Sequence, residues 1–262
     1  MPRFFSLFSI LLCFTTHAQQ ITLARTPSLS SDGKTIAFSF QGDIWKLNTD
    51  IGIPQRLTIH EAYESNPVFN SDGTRIAFNS NRYGNNDVFT IPLEGGIPKR
   101  LTYHSANDEV TDWTKEGQIL FDTRRIFTQV EWDGEVYTVS EDGGTPKRLL
   151  DAVGEMAVAS PDGKKIAFVR GACRISREAY EGPADMNIWV YDIDADTYTR
   201  ITHNNTNDYL PKWDEKGRLY FLSSLNGKYN VCRYTENTDG TPLEFLTMYN
   251  DEGVRYYDVK NG

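Results

Sequence analysis

Several features that carry chemistry are scarce in this sequence. Its 262 residues include 3 cysteines and 4 histidines. They contain no G-x-S-x-G string of the kind that forms a nucleophile elbow. A CxxC pair, a phosphate-binding glycine loop and a dinucleotide-binding fingerprint are missing as well. We therefore expect no catalytic residue, no metal site and no cofactor in this stretch of chain.

The sequence also lacks a basic run and, beyond residue 18, a long apolar run. Its 27 lysines and arginines oppose 36 acidic residues, which argues against nucleic acid or an anionic membrane as a partner. The apolar stretch from Phe4 to Phe14 follows Arg3 and precedes Ala18, a pattern typical of a secretory signal peptide over residues 1–18. This stretch is shorter than the ~20 residues that span a bilayer. We expect an exported protein, periplasmic or extracellular, without membrane insertion.

Amphipathic helix periodicity is absent after the signal, and aromatic residues make up 13% of the chain. Instead, one phrase recurs: NSDGTRIAFNS at 70–80 has counterparts around Gly33, Gly117, Gly163 and Gly217. Each copy is followed by a second apolar strand and, less regularly, by a closing phrase such as GIPKRLT at 96–102. Four short strands per period of roughly 40 to 45 residues are typical of the blades of a β-propeller.

The repeats predict an all-β fold: a six-bladed β-propeller of four-stranded antiparallel blades over residues 19–262. One such sheet cannot bury both of its faces alone, so neighbouring blades must pack face to face. An alternating strand at 256–259 and the final Asn261-Gly262 match the first turn of a sixth repeat. We therefore expect five blades and the start of the sixth, in a propeller that is incomplete at its C-terminus and belongs to a longer protein.

Longer stretches of the repeats resemble a known family. These are RLTIHEAYESNPVFNSDGTRIAF (56–78), SNRYGNNDVF (80–89), RLTYHSANDEVTDW (100–113) and the insertion RGACRISREAYEGP (170–183). They look like the first propeller of exported tricorn-type serine peptidases, and the resemblance covers residues 21–262. It implies that the full protein is a serine peptidase whose catalytic residues lie outside this span. It also implies that the propeller channels or filters peptides.

Two other interpretations stay open. The chain could be a TolB-like periplasmic protein-binding scaffold without enzymatic activity, or the propeller cap of another hydrolase, such as a prolyl-oligopeptidase-like enzyme. The expected partners are peptides and the C-terminal domains of the same polypeptide, and a homo-oligomer is compatible with the sequence.

Charged residues cluster at one predicted rim of the propeller. The joints between blades carry acids, among them Glu61, Glu64, Asp108, Glu109 and Asp208. The loops between second and third strands carry arginines, among them Arg82, Arg124, Arg125, Arg174 and Arg177. The two sets either pair across blades and lock them together, or leave some acids free around the central opening. In the second case, Glu61, Glu64, Asp108, Glu109, Asp208, Arg82, Arg174 and Arg177 form a binding rim that attracts the ammonium end or the basic side chains of a peptide.

Three further patterns have simpler readings. His60, His104 and His203 occupy equivalent loops, where local hydrogen bonds are expected rather than a metal site. Cys173 and Cys232 either pair or remain buried thiols. The insertion Gly171–Asp185 in repeat four could contact a partner domain or a passing peptide, or cover the channel.

Overall fold

The computed structural model describes residues 23–126, 134–235 and 243–260, so the predicted signal peptide lies outside the described residues. The described residues form twenty β-strands. Blade one contains β1 (Arg25–Leu29), β2 (Thr35–Phe40), β3 (Asp43–Asn48) and β4 (Pro54–Arg56). Blade two contains β5 (Glu64–Phe69), β6 (Arg75–Ser80), β7 (Asp87–Pro92) and β8 (Lys99–Arg100). Blade three contains β9 (Asp108–Trp113), β10 (Gln118–Thr123), β11 (Glu135–Ser140) and β12 (Lys147–Arg148).

Blade four contains β13 (Glu155–Ala159), β14 (Lys165–Arg170), β15 (Asn187–Asp192) and β16 (Thr197–Arg200). Blade five contains β17 (Asp208–Trp213), β18 (Leu219–Ser223), β19 (Asn230–Tyr234) and β20 (Leu243–Phe245). Every sheet has its four strands in chain order and pairs them antiparallel. The prediction of an all-β propeller with four-stranded blades is therefore confirmed. In the described part of the chain five such sheets are present. No helix there is long and apolar enough to cross a membrane.

The turn between the first two strands explains the recurring phrase. In blade two, Gly73 has φ +72°, a left-handed conformation that glycine adopts without steric cost. The carboxylate of Asp72 accepts a hydrogen bond from the backbone N–H of Thr74 at 2.9 Å. Asp-Gly thus closes the tight hairpin between β5 and β6.

The closing phrase R-L-T recurs because its arginine and threonine each have a fixed bonding role. In blade two, the Arg100 guanidinium pairs with buried Asp87 at 2.7 Å and donates from Nε to the Thr102 carbonyl at 2.8 Å. Thr102 Oγ1 accepts the backbone N–H of Val88 at 2.9 Å. Equivalent bonds join Arg56, Asp43 and Thr58 in blade one and Arg200, Asn187 and Thr202 in blade four. The phrase therefore fastens the fourth strand of a blade to its third strand.

The hydrophobic core lies between the blades. Ala37 and Ile44 of blade one pack with Ile76 and Phe78 of blade two in one buried cluster. Similar clusters join blades two and three, three and four, and four and five. Neighbouring sheets thus bury the apolar faces that they turn toward each other, as the repeat predicts.

Residues 253–260 lie beside blade five and reach blade one. The N–H of Val254 donates to the Tyr229 carbonyl at 2.8 Å, and the Tyr257 hydroxyl donates to the Leu210 carbonyl at 2.9 Å. On the other side, the N–H of Leu29 donates to Asp258 Oδ2 at 2.7 Å. The strand predicted at 256–259 is not formed, because the hydrogen bonds of this segment go to side chains and isolated carbonyls rather than to a ladder. The segment nevertheless lies between blade five and blade one.

Replacing Thr102 by valine should test the role of the closing phrase. The substitution keeps the side-chain shape but removes the acceptor of the buried Val88 N–H. We expect the free energy of unfolding to fall by about 1–3 kcal/mol, measured by urea denaturation. Thr145→Val, at an exposed turn position, is the matched control and should change stability by less than ~0.5 kcal/mol. Similar losses in both variants would contradict the assigned role.

Candidate functional site

A cavity of about 1130 Å³ lies between the first strands of the blades. These strands, β1, β5, β9, β13 and β17, contact one another in that order and form the inner wall. We call this cavity the channel. Its wall includes one residue seven positions before the turn glycine of every repeat: Thr26, Asn66, Val110, Met156, Leu210 and Arg255. The repeat thus sets which side chains reach the channel.

Most inner strands carry a β-bulge at this level. Thr26, Asn66, Met156 and Leu210 have φ between 47° and 58°, which is rare for residues other than glycine. The strand register shifts at each of these positions. Bulges bend a strand and redirect its side chains, and they are common beside functional sites. The sequence contains one signal for them: Pro27, Pro67 and Pro211 interrupt inner strands, where proline cannot donate a ladder hydrogen bond.

Two of the predicted rim acids are buried and paired. Glu64 accepts from Arg82 at 2.6 Å, and Asp108 accepts from Arg125 at 2.7 Å. Both carboxylate side chains have no exposed surface. The pairs lie within one blade, joining the start of the inner strand to the loop after the second strand. The expectation that such pairs lock neighbouring blades is therefore wrong for Glu64 and Asp108.

The Arg124–Glu155 pair does join neighbouring blades. The guanidinium of Arg124 in blade three lies 2.8 Å from the carboxylate of Glu155 in blade four. Of the other predicted rim acids, Glu61 is exposed in the joint before β5, and Glu109 lines the channel. Asp208 is completely buried at the start of β17. Burial raises the pKa of Asp208 to about 6, although the nearby hydroxyls of Ser223 and Thr202 oppose the shift.

Arg174 and Arg177 lie in the insertion Gly171–Asp185, and both are exposed. Arg177 stacks over the Tyr180 ring at 4.4 Å, and its carbonyl accepts from Asn207 at 2.9 Å. The insertion begins at a narrow neck: a Cβ on Gly171 would lie 2.1 Å from the carbonyl oxygen of Asp185. The two ends of the loop are therefore in contact where it leaves blade four, and the bond from Asn207 holds the loop against blade five.

Glu178, near the middle of the insertion, forms salt bridges with two basic side chains. It pairs with Lys228 at 3.0 Å and with Arg255 at 2.7 Å. Ile175 of the same loop lines the channel. The insertion thus connects blade four, blade five and the 253–260 segment beside the channel.

Glu109 and Asp122 place carboxylates in the channel wall on blade three. Burial raises the pKa of Glu109, and the hydrogen bond from Asn86 at 2.7 Å partly opposes this. Burial also raises the pKa of Asp122 well above its usual value, with the charges of Glu155 and Glu109 adding to the effect. The N–H of Met156 donates to Asp122 at 2.6 Å. Asp122 was not predicted as a channel residue, because it follows the apolar residues of β10, where the repeat indicates only core.

His60 and His104 form local hydrogen bonds, and the two cysteines are unpaired. Nδ1 of His60 accepts the N–H of Ala62 at 2.9 Å, and Nδ1 of His104 accepts the N–H of Ala106 at 3.0 Å. These are the loop hydrogen bonds expected from their equivalent positions. Cys173 and Cys232 are free thiols, so the alternative of a disulfide between them is wrong.

Comparisons with known proteins agree with this geometry. Residues 21–262 match the model of the tricorn protease N-terminal beta propeller domain. The chain is 25% identical over 225 residues to a tricorn protease homolog of Saccharolobus solfataricus, which covers 84% of this chain and 20% of the relative. It therefore spans about a fifth of that relative's length. The resemblance that the repeat sequences predict is confirmed.

Solved structures support the fold. The crystal structure of the tricorn protease superposes with a TM-score of 0.76 at 20% identity, over 90% of this chain and 23% of the other. A structure from Agrobacterium tumefaciens proposed to be TolB superposes with a TM-score of 0.69 at 22% identity, over 86% of this chain and 80% of the other. At these identities the likeness shows a shared propeller fold.

The raised pKa of Asp208 predicts a pH-dependent effect of Asp208→Asn. Because the folded-state pKa of about 6 lies above the unfolded value of 3.8, the stability contributed by the neutral carboxyl is full below pH 4 and is lost as the pH rises through 6. Asparagine cannot ionise. Relative to the wild type, the variant should therefore gain about 2 kcal/mol between pH 4.5 and 7.5 in urea unfolding.

Asp214→Asn is the matched control. Burial alone would raise the pKa of Asp214, but hydrogen bonds and the charge of Arg218 outweigh it and lower the pKa. Asp214 is thus ionised in both the folded and unfolded states above pH 4.5, and its stability difference from wild type should not change over this range. A pH-independent difference for Asp208→Asn would contradict the prediction.

Proposed function

The chain belongs to the tricorn protease N-terminal β-propeller family, and from this we propose that it is the non-catalytic N-terminal propeller of a tricorn-like serine peptidase. In this role the channel filters peptides and passes them to a catalytic domain elsewhere in the same polypeptide. The observation that carries the proposal is the channel itself. Its volume of about 1130 Å³ exceeds the ~300–1,000 Å³ typical of small-molecule sites and suits a peptide of several residues.

The proposal assigns the chemistry to residues outside this chain. His60 and His104 use Nδ1 to accept loop N–H groups, and no serine among the residues with described side-chain bonds is bonded to a histidine. A serine nucleophile needs a base within hydrogen-bond reach. We therefore expect the isolated chain to cleave no peptide.

A sixth blade and export are part of the same proposal. The position of residues 253–260 between blades five and one supports a sixth blade that begins with this segment. An apolar depression on blade one, lined by Ile36, Phe38 and Leu47, offers the face against which such a sheet would pack. The apolar stretch before Ala18 supports export to the periplasm or the cell exterior.

A TolB-like binding scaffold is the second candidate. It is favoured by the superposition with the Agrobacterium tumefaciens structure, which extends over 80% of that chain. In such a scaffold a protein partner would bind the outer surface or the channel mouth, and no domain of the polypeptide would cleave peptides.

Blocking the channel tests the first candidate. Asn66 lines the channel, so we would introduce Asn66→Cys in a Cys173→Ser background of the full-length protein and attach a maleimide–polyethylene glycol. Cleavage of peptides of about ten residues should fall at least roughly tenfold after labelling, because the polymer fills the route to the catalytic domain. The measurement is the rate of cleavage before and after labelling.

Thr145→Cys in the same background is the control, since Thr145 is exposed on an outer turn. Labelling there should leave cleavage unchanged. Unchanged cleavage after labelling at Asn66 would reject passage through the channel. A full-length protein that cleaves no peptide, yet binds a protein partner, would favour the scaffold.

A further inference from the structure

Three blades begin their inner strand with a buried carboxylate at the same position of the repeat. These carboxylates belong to Glu64, Asp108 and Asp208, the first residues of β5, β9 and β17. None of the three has exposed surface. Each is paired with the last residue of the second strand of its blade, which is Ser80, Thr123 or Ser223. The three carboxylates therefore occupy equivalent sites in blades two, three and five.

Blade five lacks the arginine that neutralises this carboxylate in the other two blades. Arg82 and Arg125 each lie two residues beyond the end of the second strand, and they form the salt bridges with Glu64 and Asp108. In blade five the same position holds Leu225, which is exposed. Within the described ranges, the buried carboxylate oxygens of Asp208 have no cationic partner. A buried carboxyl without a cation favours its neutral form.

The groups around Asp208 supply no positive charge for it. Three neutral side chains lie close to its carboxyl: those of Ser223, Thr202 and Asn204. The titratable groups that act on it are Asp185 and the Cys232 thiol. Burial raises the pKa of Cys232 and keeps it neutral. Asp185 adds negative charge, and the nearby Arg200 pairs with Asp185 at 3.8 Å.

Asp208 and its neighbour Asn207 also hold the insertion Gly171–Asp185 against blade five. Asn207 Nδ2 donates to the Arg177 carbonyl at 2.9 Å, and Asn207 Oδ1 accepts the N–H of Met186 at 3.1 Å. The N–H of Asp208 donates to the Met186 carbonyl at 2.8 Å. The start of β17 thus binds both the middle of the insertion and the residue that follows its end.

The insertion is the segment around Asp208 that opens most easily. The strands β17, β18 and β19 are paired in one sheet. The insertion contains no strand, and isolated hydrogen bonds and salt bridges fix it to blade five. Segments with few such bonds open locally at the lowest free energy. Release of the insertion is therefore the least costly way for water to reach Asp208.

We propose that Asp208 is a pH-dependent trigger that keeps the insertion fixed to blade five in acid and releases it as the medium becomes neutral. In the fixed state, Ile175 lines the channel and Glu178 forms a salt bridge with Arg255. Ionised Asp208 favours the released state, because water reaches the carboxylate there. The inference concerns access to the channel, and it does not depend on which molecules pass through it.

Hydrogen–deuterium exchange of the full-length protein, followed by mass spectrometry, tests the inference. The N–H groups of Arg177, Tyr180 and Asp185 donate to carbonyls within the insertion, so their exchange reports its opening. The rates are divided by the intrinsic chemical exchange rate at each pH. They should then rise roughly 25-fold between pH 4.5 and 7.5, which is the linkage for a carboxyl whose pKa is about 6 in the fixed state and 3.8 in water.

Two variants remove the trigger in different ways. Asp208→Asn cannot ionise, and Leu225→Arg supplies the cation that blades two and three possess. In both variants the insertion should stay as protected at pH 7.5 as at pH 4.5. Asp142→Asn and Ile97→Arg make the same changes at exposed positions of other blades. These two controls should keep the rise seen in the wild type.

Three results would overturn the inference. In the first, the corrected exchange of the insertion in the wild type does not change with pH. In the second, the rise persists in Asp208→Asn, so that another group titrates. In the third, peptides from β17, β18 and β19 show the same rise as the insertion, so that blade five loosens as a whole. If Asp208→Asn does not fold, Leu225→Arg decides the second point, because it keeps Asp208 and should abolish the rise.

Discussion

The whole architecture depends on the need of each sheet to have both faces covered. A four-stranded sheet with Phe or Ile on its two faces is unstable in water unless another apolar face packs against each of them. Phe78, Phe121, Phe168 and Phe221 occupy the same strand position in four blades, and all are completely buried. Stacking similar sheets in sequence order around an axis meets this need wherever two blades are neighbours. The channel is a geometric result of that stacking, because the inner strands cannot converge to a point.

The stacking of the blades also buries polar groups at the rim formed by the joints between blades and the loops after the second strands. Each blade buries a carboxylate or amide where its inner or third strand begins, and a buried charge needs a partner of opposite sign. Arg82 forms a salt bridge with Glu64, Arg125 with Asp108 and Arg100 with Asp87. The acids that remain for other roles are those without such an arginine. Glu109, one residue beyond paired Asp108, points into the channel wall and is held only by amides.

The sequence predicted the blades well because the turn signals are local. Asp72-Gly73 closes a hairpin through bonds within five residues, and R-L-T is readable from its fixed spacing. The channel residues were harder to predict, because their exposure depends on the bulges at Thr26, Asn66, Met156 and Leu210, where no glycine announces a positive φ. Of the predicted rim residues, Glu109 lies in the channel wall, whereas the pairing of Glu64 within its own blade depends on where the Arg82 loop folds. The spacing of residues along the chain does not predict such long-range distances.

The two ends of the insertion are in contact, so the length of the loop does not affect the rest of blade four. Gly171 and Asp185 touch, so β14 and β15 pair from Arg170↔Asn187 onward regardless of what lies between Cys173 and Ala184. The entropy of closing a longer loop grows only slowly with its length. The segment is therefore a natural graft point: swapping it between homologues would exchange what the channel mouth displays, while the underlying hairpin keeps its register.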